Sequence, residues 1–488
     1  QENCAFSECS PWLWLCMLLC VVVCVLFARS LTASRQEVST APSGRMEKLA
    51  GYVANTDISA EAAIDTEVMV LSVAAQQGRW EGAWRIYHRG SQGTGVGSLR
   101  SLWHPAEQAT SQPLFQLYAS YYPAGVSYID DFVSGAINGT GQFSSLKANE
   151  RAELTVKGSI YQGMWMQTLK ELESAARDCI GSRVGTGVSN PEALEASMRH
   201  WNRAWAFYVG SMEGAEGPGS GQLLWAVGDR MCRHFATCSE GKHRVSGTGR
   251  VNHELRGLFQ SGQASLSGPG DCFSALQTKS AIRSRMLIPL VQGLLRAAYA
   301  QDPALAEHFA ISAAETAEGW AFAAALLPMV AHCSLASAEV IHSRMRMGGP
   351  GTSDSFHKVR AAIEETYPCL EIRCDEIGGL VDKAGKYLAD FRPCKQGGTT
   401  RMETEEWELD SLHIFLMMTA ATCFLLLLVA WWQCIAWRAL ATEGMGKARL
   451  MPRPQVIPPH SDISWGPDSP LAEREGLCRL RDFDLPHR

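Results

Sequence analysis

The stretch from Arg199 to Gly214 constrains the fold most, because its large apolar side chains recur at the spacing of one helix face. Its aromatic residues and one methionine are separated by four, three and four positions: Trp201, Trp205, Tyr208 and Met212. This period places them along one stripe of an α-helix, where two indoles bury a large apolar area. We therefore predict a central core helix whose tryptophans pack in the interior rather than contact a cofactor.

A second stretch, residues 315–333, repeats the Trp-Ala-Phe motif of the first. Each copy follows a helix-like segment with a Gln-Gly pair, Gln162-Gly163 before the first and Gln292-Gly293 before the second. This order predicts a mainly α-helical fold with a degenerate internal duplication of helical hairpins. The chain shows no convincing apolar–polar alternation at strand period, which also favours helices.

Two apolar segments are long enough to span a bilayer, Trp12 to Ala28 and Leu412 to Trp437. The second predicts a transmembrane helix. The first is either a retained anchor or the apolar part of a cleaved signal peptide, and its length favours the anchor. Basic residues follow the second segment and acidic residues precede it, so the positive-inside rule places the C-terminal tail in the cytoplasm.

These signals divide the chain into six parts and predict a protein of the plasma membrane or another secretory-pathway membrane. The parts are an anchor or signal segment (1–30), a polar stalk (31–56), a helical ectodomain (57–394), an acidic linker (395–411), a transmembrane helix (412–437) and a disordered cytoplasmic tail (438–488).

The cysteines of the ectodomain are even in number, as expected for disulfides in an oxidising compartment. They are Cys179, Cys232, Cys238, Cys272, Cys333, Cys369, Cys374 and Cys394. A zinc site is the alternative, but the spacing lacks a second matching pair, so disulfides are favoured. Asn138-Gly139-Thr140 is a glycosylation acceptor and predicts a glycoprotein.

Several short motifs follow one another between residues 57 and 379. They include GRWEGAWRIYHRG, AWAFYVGSMEG, WAVGDRMCRHFAT and YPCLEIRCDEIGG. Their series resembles the algal iron-assimilating proteins, also called low-iron-inducible or high-CO2-inducible periplasmic proteins. The resemblance implies a helical cell-surface protein that assists iron capture in an alga or other protist. In this family an acidic pair precedes Trp-Ala-Phe, where this chain has Asn202 and Arg203. If that pair binds the ion in the family, the first of the two copies has lost it here.

Iron, the ion implied by the resemblance, prefers carboxylate and phenolate oxygen and also accepts imidazole. Carboxylates three positions apart lie on one helix face and can share an ion. Glu315 and Glu318, just before Trp320, are the favoured ligands. Four other residues are predicted to complete the site: Glu171, Glu153, His200 and His332. The alternative is that the carboxylates are solvated and the histidines are hydrogen-bonded core residues.

No nucleophile elbow, His-Glu-x-x-His motif or P-loop occurs in the sequence, so we expect no enzyme. The net charge of −6 and the lack of a basic stripe argue against a nucleic-acid partner. The sequence thus predicts a membrane-tethered metal-binding protein that assists iron capture. Its expected partners are the metal ion, membrane lipid and a neighbouring transporter or reductase. The alternative is a structural or adhesion glycoprotein that uses the same fold without metal.

Overall fold

The computed structural model describes residues 48–91, 97–103, 112–182, 190–217, 219–241, 243–267, 271–305, 312–349, 353–388, 390–393 and 432. Those up to residue 393 belong to one compact unit, and residue 432 belongs to a second. The predicted N-terminal anchor, acidic linker and cytoplasmic tail lie outside the described residues, as do Cys394 and all of the predicted C-terminal transmembrane helix except residue 432. Within the part described, no helix has the length and apolarity needed to cross a membrane.

The described chain is mainly α-helical, as the sequence predicts. The helices of the first half are α1 (Ser59–Ala62), α2 (Ile64–Gln76), α3 (Trp80–Arg89), α4 (Leu99–Trp103), α5 (Pro113–Tyr121), α6 (Tyr128–Asn138), α7 (Ala148–Gly158), α8 (Trp165–Gly181) and α9 (Pro191–Val209). Those of the second half are α10 (Leu224–Phe235), α11 (Arg250–Leu266), α12 (Cys272–Gln301), α13 (Ala313–Cys333), α14 (Leu335–Met345), α15 (Ser355–Leu370) and α16 (Cys374–Ile377). Three 3₁₀ turns (Gly125–Ser127, Gly141–Phe143, Ser211–Glu213) join some of them.

Two short antiparallel ribbons interrupt the helices. Strands β1 (Lys48–Leu49) and β2 (Tyr52–Val53) form the first, and β3 (Cys238–Glu240) and β4 (Ser246–Gly249) form the second. Strands of two to four residues are too short to produce a readable alternation, which is why the sequence predicts helices alone.

The first ribbon corrects the predicted stalk. The composition predicts a polar stalk over residues 31–56. Within residues 48–56, however, Leu49, Tyr52 and Ala54 are buried in the core. The Tyr52 hydroxyl donates to Asn202 Oδ1 at 2.5 Å. The folded part therefore begins at or before residue 48.

Helix α9 is the core helix that the aromatic stripe predicts. It begins at Pro191, where the Asn190 side chain accepts a hydrogen bond from the Glu192 N–H. It ends at Val209, and the following Gly210 has a φ of 82° and a close approach to the Asp65 carboxyl that suit glycine alone. Trp201 and Trp205 are fully buried, and their indole N–H groups donate to the Phe259 and Leu49 carbonyls. Apolar burial and satisfied indole groups together fix this helix at the centre.

Two helical hairpins have the order that the sequence predicts: α8 packs on α9, and α12 packs on α13. The Gln-Gly pair of the first half lies in a π-helical segment, Ser159–Met164, that joins α7 to α8. A Cβ on Gly163 would lie 2.8 Å from the Trp103 ring, and one on Gly293 would lie 2.3 Å from the Phe322 ring. Each glycine therefore admits an aromatic ring against the helix backbone.

Three disulfides are complete within the described chain, and they span 93, 6 and 36 residues. They pair Cys179 with Cys272, Cys232 with Cys238, and Cys333 with Cys369. Cys374 is disulfide-bonded as well. The prediction of disulfides is confirmed for these residues, and several of them in one chain indicate an extracytoplasmic protein of the secretory pathway.

Candidate functional site

Glu318, one of the two favoured metal ligands, is buried on α13 within a network of charged side chains. Its Oε1 atom lies 2.5 Å from Arg230 Nη2 and 3.2 Å from Lys157 Nζ. The Tyr161 hydroxyl donates to the same oxygen at 2.5 Å. Burial alone raises the pKa of Glu318, but the charges of Lys157 and Arg230 outweigh burial and hold it at about 2. This carboxylate is ionised and already neutralised by the protein's own cations.

Glu153, another predicted ligand, lies beside Glu318 on α7. Its Oε1 is 3.5 Å from Lys157 Nζ. Burial raises the pKa of Glu153, Lys157 lowers it, and the charge of Glu318 raises it further. The structure thus brings two predicted ligands together. Lys157 and Arg230, however, occupy the positions beside them where a metal cation would bind.

Glu171 and His200 form a second pair of predicted ligands, on α8 and α9. Glu171 Oε2 lies 2.6 Å from His200 Nδ1, and Asp178 Oδ2 lies 3.6 Å from His200 Nε2. Arg203 Nη2 also lies 3.6 Å from Glu171 Oε1. Arg203 thus places a positive charge beside Glu171.

Glu315 and His332 lie at opposite ends of α13, apart from both groups. Glu315 forms a capping box with Ser312 at the start of the helix and an ion pair with Arg296 at 3.2 Å. His332 is exposed near the last residue of the helix. The six predicted ligands therefore form two separate pairs and two isolated residues. Across the described ranges, no three His, Cys, Asp or Glu side chains form a group that could hold a metal ion.

A different set of residues lines an aromatic cleft of about 490 Å³. Helices α5, α6, α13 and α14, the π-helical segment and two connecting segments contribute to it: Tyr121, Tyr122, Pro123, Ala124, Tyr128, Asp131, Phe132, Gln142, Gln162, Trp320, Ala324, Leu327, Leu335, Ala338, Glu339 and His342. Two carboxylates and no lysine or arginine are among these described lining residues. The cleft is therefore apolar inside and carries negative charge.

The aromatic walls are fixed by ring contacts and backbone hydrogen bonds. The Tyr122 and Tyr128 rings stack at 5.4 Å, and the Tyr122 hydroxyl donates to the Ala324 carbonyl. Trp320 meets the His342 ring edge to face at 5.5 Å. Burial lowers the pKa of His342, and Arg346 lowers it further, so the imidazole is neutral at pH 7 and able to accept a hydrogen bond or a metal.

Two buried polar groups of this cleft have no hydrogen-bond partner in the described structure. Both amide atoms of Gln162 and the Tyr128 hydroxyl are unpartnered. Gln162 is 1% exposed and Tyr128 is 2% exposed. These polar atoms are themselves buried, so they lie within the wall of the cleft and are not exposed to it. A π-helical segment, such as the one carrying Gln162, is frequent at functional sites.

No sequence pattern predicted that these residues form a cleft. One available signal was Glu339-x-x-His342, a spacing that bundle proteins use to present metal ligands on one helix face. Tyr128 and Asp131 on α6 have the same spacing. The predicted acceptor Asn138 is exposed at the end of α6, where it is accessible, and its glycosylation stays a prediction.

No protein-family model matches the chain, and comparison with curated proteins and with solved structures gives no significant match.

Proposed function

We propose that this chain is a non-enzymatic, membrane-tethered extracytoplasmic protein that captures iron, and that the aromatic cleft is its site. The observation that carries the proposal is the chemistry of the cleft. Asp131, Glu339 and His342 bring carboxylate and imidazole groups to one cleft without forming a ready-made three-ligand group, and no lysine or arginine is among the described lining residues. Ferric iron prefers this mixture of hard oxygen donors with imidazole.

The contrast with Glu318 and Glu153 supports this choice of site. Their negative charge is matched by Lys157 and Arg230 in the folded protein. Asp131 and Glu339, in contrast, are exposed at the cleft without a described lysine or arginine among its lining residues. A cation therefore gains more from the cleft than from the buried network.

We propose that the two hairpins, α8 with α9 and α12 with α13, arose by duplication and then diverged.

The test is a ferric titration of the purified full-length chain, with an Asp131→Asn/Glu339→Gln double variant beside it. Removing two donors should weaken iron binding about tenfold or more. The control is Glu192→Gln/Glu195→Gln, which removes two exposed carboxylates of α9 that lie outside the cleft. Binding should also weaken as the pH falls, because the donors must lose protons to bind the ion. Equal affinity of the cleft variant and the control would exclude this site.

A structural or adhesion glycoprotein is the second candidate. It is favoured by one observation, that the buried carboxylates Glu153 and Glu318 have lysine and arginine partners and so need no metal. Failure of the unaltered chain to bind iron would favour this candidate over the first.

A further inference from the structure

A second cleft, which we call the basic groove, lies between helices α8 and α12. Each helix contributes four residues at positions i, i+3, i+4 and i+7, the spacing of one helix face. Those of α8 are Met166, Leu169, Lys170 and Glu173, and those of α12 are Leu276, Lys279, Ser280 and Arg283. Gln112 and Leu114 complete the described lining. The groove is therefore a gap between two helix faces.

Two links between the helices determine which of these residues lie opposite each other. The disulfide joins Cys179 to Cys272, and Glu173 forms an ion pair with Lys279. From the first link to the second, the residue number falls on α8 and rises on α12, so the helices run antiparallel. One more turn along both helices leads from the ion pair to Lys170 and Arg283. These two cations line the groove beyond Glu173, the one carboxylate of its described lining.

Lys170 carries a partly buried charge whose described acceptors are both uncharged. Its Nζ atom lies 3.3 Å from the Leu102 carbonyl and 3.3 Å from Gln167 Oε1. An ammonium group has three N–H donors, so a third remains for a ligand. Burial lowers the pKa of Lys170, and the charge of Glu171 opposes this only in part. An anion in the groove would stabilise the charged form.

The charge of Arg283 is only weakly matched. Its Nη2 atom lies 3.5 Å from Oε2 of Glu371, whose side chain is 55% exposed, and an ion pair this exposed contributes little. A planar guanidinium can also bind both oxygens of a carboxylate. Since Glu173 balances Lys279 and Glu371 balances Arg283, the charge left over in the groove is that of Lys170. One negative charge on the occupant matches it.

The rest of the groove favours an organic occupant. Its described lining includes four apolar side chains: Leu114, Met166, Leu169 and Leu276. An inorganic anion would leave this apolar wall in contact with water. The volume of about 270 Å³ lies just below the roughly 300–1,000 Å³ of pockets for drug-sized ligands. The occupant that fits is therefore a small anion with an apolar body.

We propose that the basic groove binds a small monocarboxylate with an apolar body, a function separate from iron capture and carried by different residues. Lys170 donates to one carboxylate oxygen and Arg283 donates to the other. The apolar body lies against the leucine and methionine side chains of the two helices.

The test is equilibrium dialysis of the purified full-length chain with radiolabelled hexanoate. We expect saturable binding that Lys170→Met weakens about tenfold or more, because it removes a charged hydrogen bond and keeps most of the side chain's length. The matched control is Lys358→Met, which changes the net charge equally at an exposed position of α15 outside the groove. Unlabelled hexanol lacks the charge and inorganic phosphate lacks the apolar body, so neither should displace hexanoate at an equal concentration.

Four results would overturn the proposal. They are equal affinity of Lys170→Met and Lys358→Met, no saturable binding by the unaltered chain, displacement by hexanol, and displacement by phosphate. Hexanol would reveal an apolar pocket in which the charge has no role, and phosphate would reveal a site for any anion.

Thermal unfolding without hexanoate checks that the variants are folded, and Arg283→Lys decides the outcome if Lys170→Met is not. This variant keeps the charge but loses the planar fork, so it should weaken binding roughly threefold. An affinity equal to that of Lys358→Met would then overturn the proposal.

Discussion

The two Gln-Gly segments precede the two Trp-Ala-Phe helices in the same order, but their glutamines have opposite surroundings. Gln292 donates from Nε2 to the Ile377 carbonyl at 2.8 Å and lies 3.2 Å from Thr237 Oγ1. Gln162 is buried to the same 1% exposure, and neither of its amide atoms has a partner in the described structure. Gln292 therefore fastens two segments together, whereas the amide of Gln162 is buried without a partner in the described structure.

The backbone conformation around the two glutamines differs as well. Gln292 lies in the continuous helix α12, while Gln162 lies in the π-helical segment between α7 and α8. Tyr161, the residue before Gln162, is held by Glu318 and Arg230. One side chain of the segment is anchored in a buried ion network and the next is unpaired. The difference teaches that a repeated motif can keep its residues while their surroundings diverge, since one glutamine joins two segments and the other has no described partner.

The largest expected effect comes from breaking the anchor of the first segment. Arg230→Met leaves Glu318 buried with Lys157 as its one remaining cation among the described residues. We expect the free energy of unfolding, measured in urea, to fall by about 3 kcal/mol. The double variant Arg230→Met/Glu318→Leu removes both charges and should recover much of the loss. A single variant as stable as the unaltered chain would mean that Tyr161 is not anchored by this network.

Acid should weaken the same anchor. The folded protein holds the pKa of Glu318 at about 2, below its ordinary 4.5, so its contribution is fully present above pH 4.5 and is lost as the pH falls towards 2. A shift of this size corresponds to as much as about 3 kcal/mol. Urea unfolding at pH 5 and pH 3 should show a smaller fall in stability for Glu318→Gln than for the unaltered chain. Identical pH slopes would contradict the assignment.

The smallest effect is also the most direct test of the comparison. Gln292→Leu should destabilise the fold by about 1–3 kcal/mol, because it leaves the Ile377 carbonyl unpaired. Gln162→Leu should be neutral or stabilising by about 1 kcal/mol, because it removes polar atoms that have no partner. Thermal unfolding of the two variants without added ligand measures both values. The same sign and size for both would mean that the two glutamines do not differ in role.

The sequence predicted the parts of this fold that follow local periodicity. The stripe of Trp201, Trp205 and Tyr208 identified the core helix, since one helix face is visible in consecutive residues. The partners of Glu318 were hidden, because Lys157 and Arg230 come from other helices far away in the chain. No local pattern indicates whether a buried carboxylate meets a lysine, an arginine or a metal. The same reason hid the cleft, whose residues come from separate helices and segments.

The disulfide between Cys179 and Cys272 determines what a protease can do to this protein. It spans 93 residues, and the exposed turn at Gly241 lies between its two cysteines. A single cut there would leave α9 and α13 on different polypeptides that are still covalently joined. An extracytoplasmic chain is exposed to proteases. After one such cut, this chain would remain a single two-chain molecule rather than lose half of its core.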